Sequence, residues 1–262
     1  MSFYTINTKK NRKLYYQILG ETGPRLVMIH GSMNSHRQWA YQHPLAEQAV
    51  LTLLDLPGHG QSDSLPDLVT VPNITFVLSN FFRESNLIPV IPVGHSLGGA
   101  IALQLVLDYP EIVNGLILVG TGAKLGVFPA ILDGLRTHYE DGINLAIGQL
   151  AFHENSSPDL IEQAKREALQ CSKSIGLADF LACNAFDVRT RLQEIKVPTL
   201  ILVGDQDKLT PPKWASYLND HISGSTLEVM KNAGHFVMQE QPKAVNSAIS
   251  HFLDNHNWEE QS

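Results

Sequence analysis

The six residues Gly94-His95-Ser96-Leu97-Gly98-Gly99 limit what this chain can fold into more than any other stretch. They follow an apolar run at 90–93 and precede a helix-like pattern at 100–109. A strand that turns this sharply into a helix needs unusual backbone angles and leaves no space for Cβ atoms beside the turn, so glycines flank it. The serine at the tip is then held where a base can reach it and backbone N–H groups face a substrate. A bare Gly-x-Ser-x-Gly match is a weak signal. With a strand before it and a helix after it, the segment reads as a nucleophile elbow.

The surrounding pattern agrees with that reading. Short apolar runs at 26–29, 50–54, 90–93, 116–119, 199–203 and 227–230 alternate with helical patterns, which predicts an α/β fold: a mostly parallel central sheet with helices on both faces. Residues 12–19 read as an antiparallel edge strand paired with 3–6. Pro92 removes a ladder donor from a central strand, so a local irregularity is expected there. A chain of 262 residues can be organised by one hydrophobic core carrying an insertion.

The alternation breaks across residues 123–191. Phe128, Ile131, Leu132, Leu135 and Tyr139 share one helical face, as an amphipathic helix requires. Ser157-Pro158-Asp159 resembles a helix start with a capping serine; Leu160, Ala164 and Ala168 continue it inward, with Glu162 and Arg166 as an outer i,i+4 pair. The expected division is a core of residues 1–122 and 192–262 with a helical cap, or lid, at 123–191.

Composition narrows the classes of partner. The formal net charge is −7 and no basic run exceeds Lys9-Lys10, which argues against nucleic acid. No segment approaches the roughly 18 apolar residues of a membrane span, and the polar start lacks the apolar centre of an export signal, so a cytoplasmic location is expected. Cys171 and Cys183 lie twelve positions apart with no partner at ligand spacing; they read as buried free thiols, and no metal site is expected. Oligomeric state is left open.

A reactive serine needs a base and a carboxylate to hold that base. Gly204-Asp205-Gln206-Asp207 follows one apolar run and Ala233-Gly234-His235-Phe236 follows another. The resulting order is Ser96, Asp207, His235. Asp207 is favoured because it sits further into the loop and can turn back toward the histidine; Asp205 is the alternative acid, and whichever of the two does not reach the site is placed to cap the helix that begins near Pro211-Pro212. Two N–H groups should meet the oxyanion: that of Leu97 at the helix start, and that of Ser32 in the loop His30-Gly31-Ser32-Met33, with Met33 as fallback. His30, His59 and His95 read as structural, and Asp55 as a loop-stabilising carboxylate. Met33, Trp39, Phe128 and Phe236 are the expected pocket residues.

Taken together, His30-Gly31-Ser32, Leu56-Pro57-Gly58-His59-Gly60-Gln61-Ser62, the elbow, Gly204-Asp205-Gln206-Asp207 and Gly234-His235 resemble the α/β-hydrolase family. The segments at 179–188 and 195–199 are similar to its lid-bearing esterase and enol-lactonase-like members. The resemblance implies hydrolysis of small or medium carboxylic esters or lactones through an acyl-enzyme on Ser96, with Asp207 and His235 completing the triad and no metal or organic cofactor. Carbon–carbon bond hydrolysis by the same triad and a ligand receptor on the same fold are the alternatives. The dehalogenases and epoxide hydrolases of the family carry aspartate at the nucleophile position, so Ser96 excludes those activities.

Overall fold

Leu26, Val27, Met28 and Ile29 are all fully buried, although successive side chains of a strand point to opposite faces. Both faces must therefore be covered. Val27 and Ile29 belong to one apolar core, and Leu26 and Met28 to a second. The computed structural model describes residues 2–6, 11–65 and 69–258; the Lys9-Lys10 pair lies outside them.

Eight strands form one sheet: β1 (Ser2–Ile6), β2 (Arg12–Leu19), β3 (Arg25–Ile29), β4 (Val50–Leu54), β5 (Ile91–His95), β6 (Leu116–Val119), β7 (Thr199–Gly204) and β8 (Thr226–Met230), in the spatial order β1-β2-β4-β3-β5-β6-β7-β8. β1 pairs with β2, and β2 with β4, antiparallel; the remaining neighbours are parallel. Helices α1 (Val71–Glu84), α2 (Leu97–Asp108) and α7 (Pro212–His221) add Leu78, Leu103 and Leu218 to the first core. On the other face, the 3-10 segment His36–Glu47 and helix α9 (Pro242–Asp254), which follows the short α8 (Val237–Glu240), bring Trp39, Leu45 and Ile249 to the second.

Pro92 behaves as expected of a proline in a central strand. It keeps register with β3, opposite Val27. Toward β6 the pairing passes from Val90 with Val113 to Val93 with Ile117, so one extra residue is accommodated on the β6 side where the proline offers no N–H.

Between β6 and β7 lie α3 (Pro129–Thr137), α4 (Tyr139–Ile143), a π-helical turn (Asn144–Leu150), α5 (Pro158–Gln170) and α6 (Lys173–Ala185). A bridge between Lys124 and Asp187 joins the two ends of this helical segment. Two local expectations need correction. Ser157 occupies the N-cap position of α5 but its side chain makes no capping hydrogen bond, and Pro158 at the first helical position supplies the start signal. Glu162 pairs with Lys165 at 2.8 Å instead of with Arg166, since residues three apart are also neighbours on a helix. Cys171 and Cys183 are buried free thiols. Among the described residues no helix is long and apolar enough to cross a membrane.

Candidate active site

In a parallel sheet the loops that leave the carboxyl ends of the strands gather along one edge. Those after β3, β5, β7 and β8 carry Ser32, Ser96, Asp207 and His235. Ser96 stands between β5 and α2 with φ 53° and ψ −114°, a left-handed conformation that costs a non-glycine residue about 1–3 kcal/mol. Surrounding bonds hold it there. Its N–H donates to the Val119 carbonyl at 3.1 Å, and its own carbonyl accepts from Gly99 N at 2.9 Å and from Thr121 Oγ1 at 2.9 Å. Close approach explains the glycines: a Cβ on Gly94 would lie 2.2 Å from the Gly98 carbonyl oxygen, and one on Gly98 2.2 Å from that of Ile29.

The alignment of β7 with β8, in which Gly204 pairs with Met230, brings the two following loops side by side. His235 Nδ1 donates to Asp207 Oδ2 at 2.9 Å, with both residues 3% exposed. Asp207 is itself fixed: Oδ1 accepts the N–H groups of Leu209 and Thr210 at 2.9 and 2.8 Å, and Oδ2 accepts Thr210 Oγ1 at 2.7 Å. Asp205 does something else, taking the Ala233 N–H at 3.4 Å. It does not cap α7, whose N-cap position is Pro211.

Three consecutive residues after His30 make different contacts in the loop after β3. Gly31 N–H donates to Gln38 Oε1 at 2.9 Å and Met33 N–H to Asp179 Oδ2 at 2.9 Å. Met33 is thereby corrected as a fallback donor, because its N–H is spent on a buried carboxylate. Ser32 borders the same cavity as Ser96 and His235, and the N–H of Leu97, at the first position of α2, has no intrahelical partner.

Sequence reasoning missed two positioning residues. Buried Gln38 holds Gly31 with Oε1 and donates through Nε2 to His95 Nδ1 at 2.9 Å; His95 Nε2 donates in turn to the His235 carbonyl at 3.0 Å. One continuous chain of hydrogen bonds thus links the loop after β3, the end of β5 and the loop after β8. Nothing in the local pattern around Gln38 announces this. Thr210 had a signal, the Asp-x-x-Thr spacing of a side chain that bonds backbone N–H groups just ahead of it.

The other histidines take structural contacts. His30 Nδ1 donates to the Gly31 carbonyl and its Nε2 accepts the Leu56 N–H; burial, with His59 nearby, holds its pKa down at about 4. Burial and the neighbouring His235 hold His95 well below the usual value, so both rings are neutral at pH 7. His59 is the opposite case. Burial disfavours its charge, yet Asp179 Oδ2 at 2.9 Å outweighs that and raises its pKa well above the usual value. Asp55 accepts from His36 N, His36 Nδ1 and Gln61 N. Burial would raise this carboxyl, and the donors overcome it and keep it below the ordinary range.

Ser96 and His235 face a cavity of about 60 Å³ walled by Leu125, Phe128, Ile131, Ile147, Phe180 and Phe236. Of the four residues expected to line a pocket, Phe128 and Phe236 border this cavity. Trp39 and Met33 do not. Trp39 is fully buried in the core beneath the sheet, and Met33 packs toward Gly176 of α6 and borders a different cavity. Cys183 also borders the Ser96 cavity, 3.6 Å from Ser32 Oγ. Burial pushes its thiol up to about 12, which leaves it protonated and a poor nucleophile.

A sequence profile of the alpha/beta hydrolase family matches residues 26–248. The structure of a thermophilic esterase superposes with a TM-score of 0.85 at 34% identity, covering 97% of this chain and 96% of that one. An enol-lactonase from Burkholderia xenovorans shares the fold, with a TM-score of 0.88 at 21% identity over 97% of this chain and 100% of its own. Among curated proteins, a 2-hydroxy-6-oxononadienedioate/2-hydroxy-6-oxononatrienedioate hydrolase from Escherichia coli is 26% identical, over 93% of this chain and 92% of that protein.

Proposed function

Because the chain belongs to the alpha/beta hydrolase family, we propose that it is a serine hydrolase of uncharged carboxylic esters or lactones of small to medium size. One observation carries the reading: a serine strained to φ 53° opens onto the same apolar cavity as a histidine whose Nδ1 is bonded to a buried aspartate at 2.9 Å. His235 Nε2 takes the Ser96 hydroxyl proton as Oγ attacks the carbonyl carbon. Asp207 holds the imidazole with its proton on Nδ1 and stabilises the imidazolium that forms. The N–H groups of Leu97 and Ser32 meet the oxyanion, each worth about 3 kcal/mol in the barrier. His235 then gives its proton to the leaving alkoxide, an acyl group stays on Ser96, and water repeats the cycle to release the acid.

The segment between β6 and β7 supplies Leu125 and Phe128 from its first loop and Ile131, Ile147, Phe180 and Cys183 from its helical turns to the cavity wall. Residues 123–191 are accordingly assigned as a cap that shapes the acyl site and excludes water, over a core of residues 1–122 and 192–262. A cavity of about 60 Å³ is small beside the ~300–1,000 Å³ of ordinary ligand sites, which favours short acyl groups.

The same triad serves carbon–carbon bond cleavage, and the Escherichia coli relative is named for substrates that are dicarboxylates. The lining here argues for esters, since among the described residues it contains no lysine or arginine to meet a second carboxylate. Steady-state turnover of p-nitrophenyl acetate and butyrate, beside that of a vinylogous 1,5-diketone acid, tests the choice. Fast ester turnover that Ser96→Ala abolishes is expected; preferential cleavage of the diketone would overturn the ester reading.

A further inference from the structure

Away from Ser96, a second group of reactive side chains converges, and the proposed hydrolysis has no use for it. One ring nitrogen of His59, the thiol of Cys171 and a carboxylate oxygen of Asp179 lie within 4.8 Å of one another, and all three residues are buried. They arrive from separate places: the turn after β4, the C-cap of α5 and the middle of α6. Their spacing along the chain therefore resembles no metal-binding motif. Burying an imidazole, a thiol and a carboxylate together is costly unless each finds a partner.

Asp179 is fully buried and only half satisfied. Its Oδ2 accepts His59 Nε2 and the Met33 N–H, each at 2.9 Å, whereas Oδ1 has no partner. A buried carboxylate oxygen without a donor keeps its full desolvation cost, and a bound cation would satisfy it. His59 is oriented for that task. Its Nδ1 donates to the Pro57 carbonyl at 3.2 Å, the outer contact that sets the tautomer of a metal-bound histidine and aims Nε2 at the ion. His59 and Cys171 also border a cavity of about 190 Å³ beside Gln170 and Glu167, which gives an ion a route in and room for a water.

We infer that His59 Nε2, Cys171 Sγ and the Asp179 carboxylate form a binding site for one zinc-class divalent ion, with a fourth position open to water. The donor set makes the choice of metal. Nitrogen, thiolate and carboxylate together suit zinc or cobalt, while magnesium and calcium take oxygen ligands. Coordination replaces the thiol proton and the proton on Nε2, both of which leave to solvent. An ion held here ties α5 and α6 to the turn after β4, and through Asp179 to the loop that carries Ser32.

Cobalt(II) titration of the full chain, stripped of metal beforehand, tests the assignment without reference to any activity. The expected result is one equivalent bound, with the intense visible bands of tetrahedral cobalt and a near-ultraviolet thiolate-to-cobalt band, all displaced by zinc. Cys171→Ser, close in size, should lose the thiolate band and at least about 100-fold in affinity while its circular dichroism stays that of the parent; Asp179→Asn should weaken binding similarly, and Cys183→Ala should keep the thiolate band. No tetrahedral spectrum in the parent chain, or a thiolate band that survives Cys171→Ser, would overturn the site.

Discussion

The carboxyl edge of the sheet and the helical segment above it meet at one cavity, yet they are built differently. Along the edge, polar groups are locked in pairs: Gln38 to Gly31 and His95, His95 to His235, and Asp207 to Leu209, Thr210 and His235. The helical segment instead presents apolar side chains such as Phe128, Ile131, Ile147 and Phe180 to the cavity, and Phe128 remains half exposed. Bond-making groups tolerate little misplacement, so they are held by directional hydrogen bonds on strand ends. Substrate shape is read by contacts that can be traded against one another at small cost. Under the proposed hydrolysis the edge would therefore carry the rate, and the segment the preference.

The largest effect should come from Asp207→Asn, which keeps the shape of the pair but leaves His235 free to take the wrong tautomer. A loss of about 10⁴-fold in kcat is expected, measured on p-nitrophenyl acetate with little change in KM. Next comes acid sensitivity of the fold. His30 has a pKa of about 4 when folded against about 6.5 in the unfolded chain, so the unfolded state gains a proton first as pH falls. Its contribution is whole above pH 6.5, declines between pH 6.5 and 4 by about 3 kcal/mol in total, and changes no further below that. Urea midpoints across that window should fall in the parent and stay flatter in His30→Gln.

Gln38→Leu, which severs the chain of bonds without touching substrate, should lower kcat by about 10–100-fold and slow active-site labelling of Ser96 in proportion, with KM nearly constant. A purely structural role would lower stability and leave the rate per folded molecule unchanged. Smallest of all, Phe128→Ala should alter the ratio of butyrate to acetate turnover only a few-fold, at the bottom of the ~1–3 kcal/mol that one apolar contact supplies to discrimination, because its ring is half exposed. If Phe128→Ala cost as much in kcat as Gln38→Leu, the division between edge and segment would fail.

Legibility in the sequence follows the same division. The strands β3 to β7 could be read because each is a short run buried on both faces, and the elbow because its glycines are demanded by close approach to neighbouring backbone. Asp207 and His235 were readable from their loops and their order in the chain. Gln38 was not, since its partner His95 lies far away in sequence and a glutamine in a 3-10 segment carries no local mark. Trp39 and Met33 were misplaced for a related reason: a large apolar side chain satisfies a core and a pocket equally well, and only packing decides. The grouping of His59, Cys171 and Asp179 escaped notice because its members come from three segments whose meeting depends on how α5 and α6 pack.

The most direct test of the proposed chemistry is covalent. Treating the intact chain with a fluorophosphonate and mapping the adduct by peptide mass spectrometry should find one modification, on Ser96, formed rapidly in the parent and more than about 100-fold more slowly in His235→Ala. An unlabelled Ser96, or labelling that proceeds equally fast without His235, would contradict an activated serine at this site.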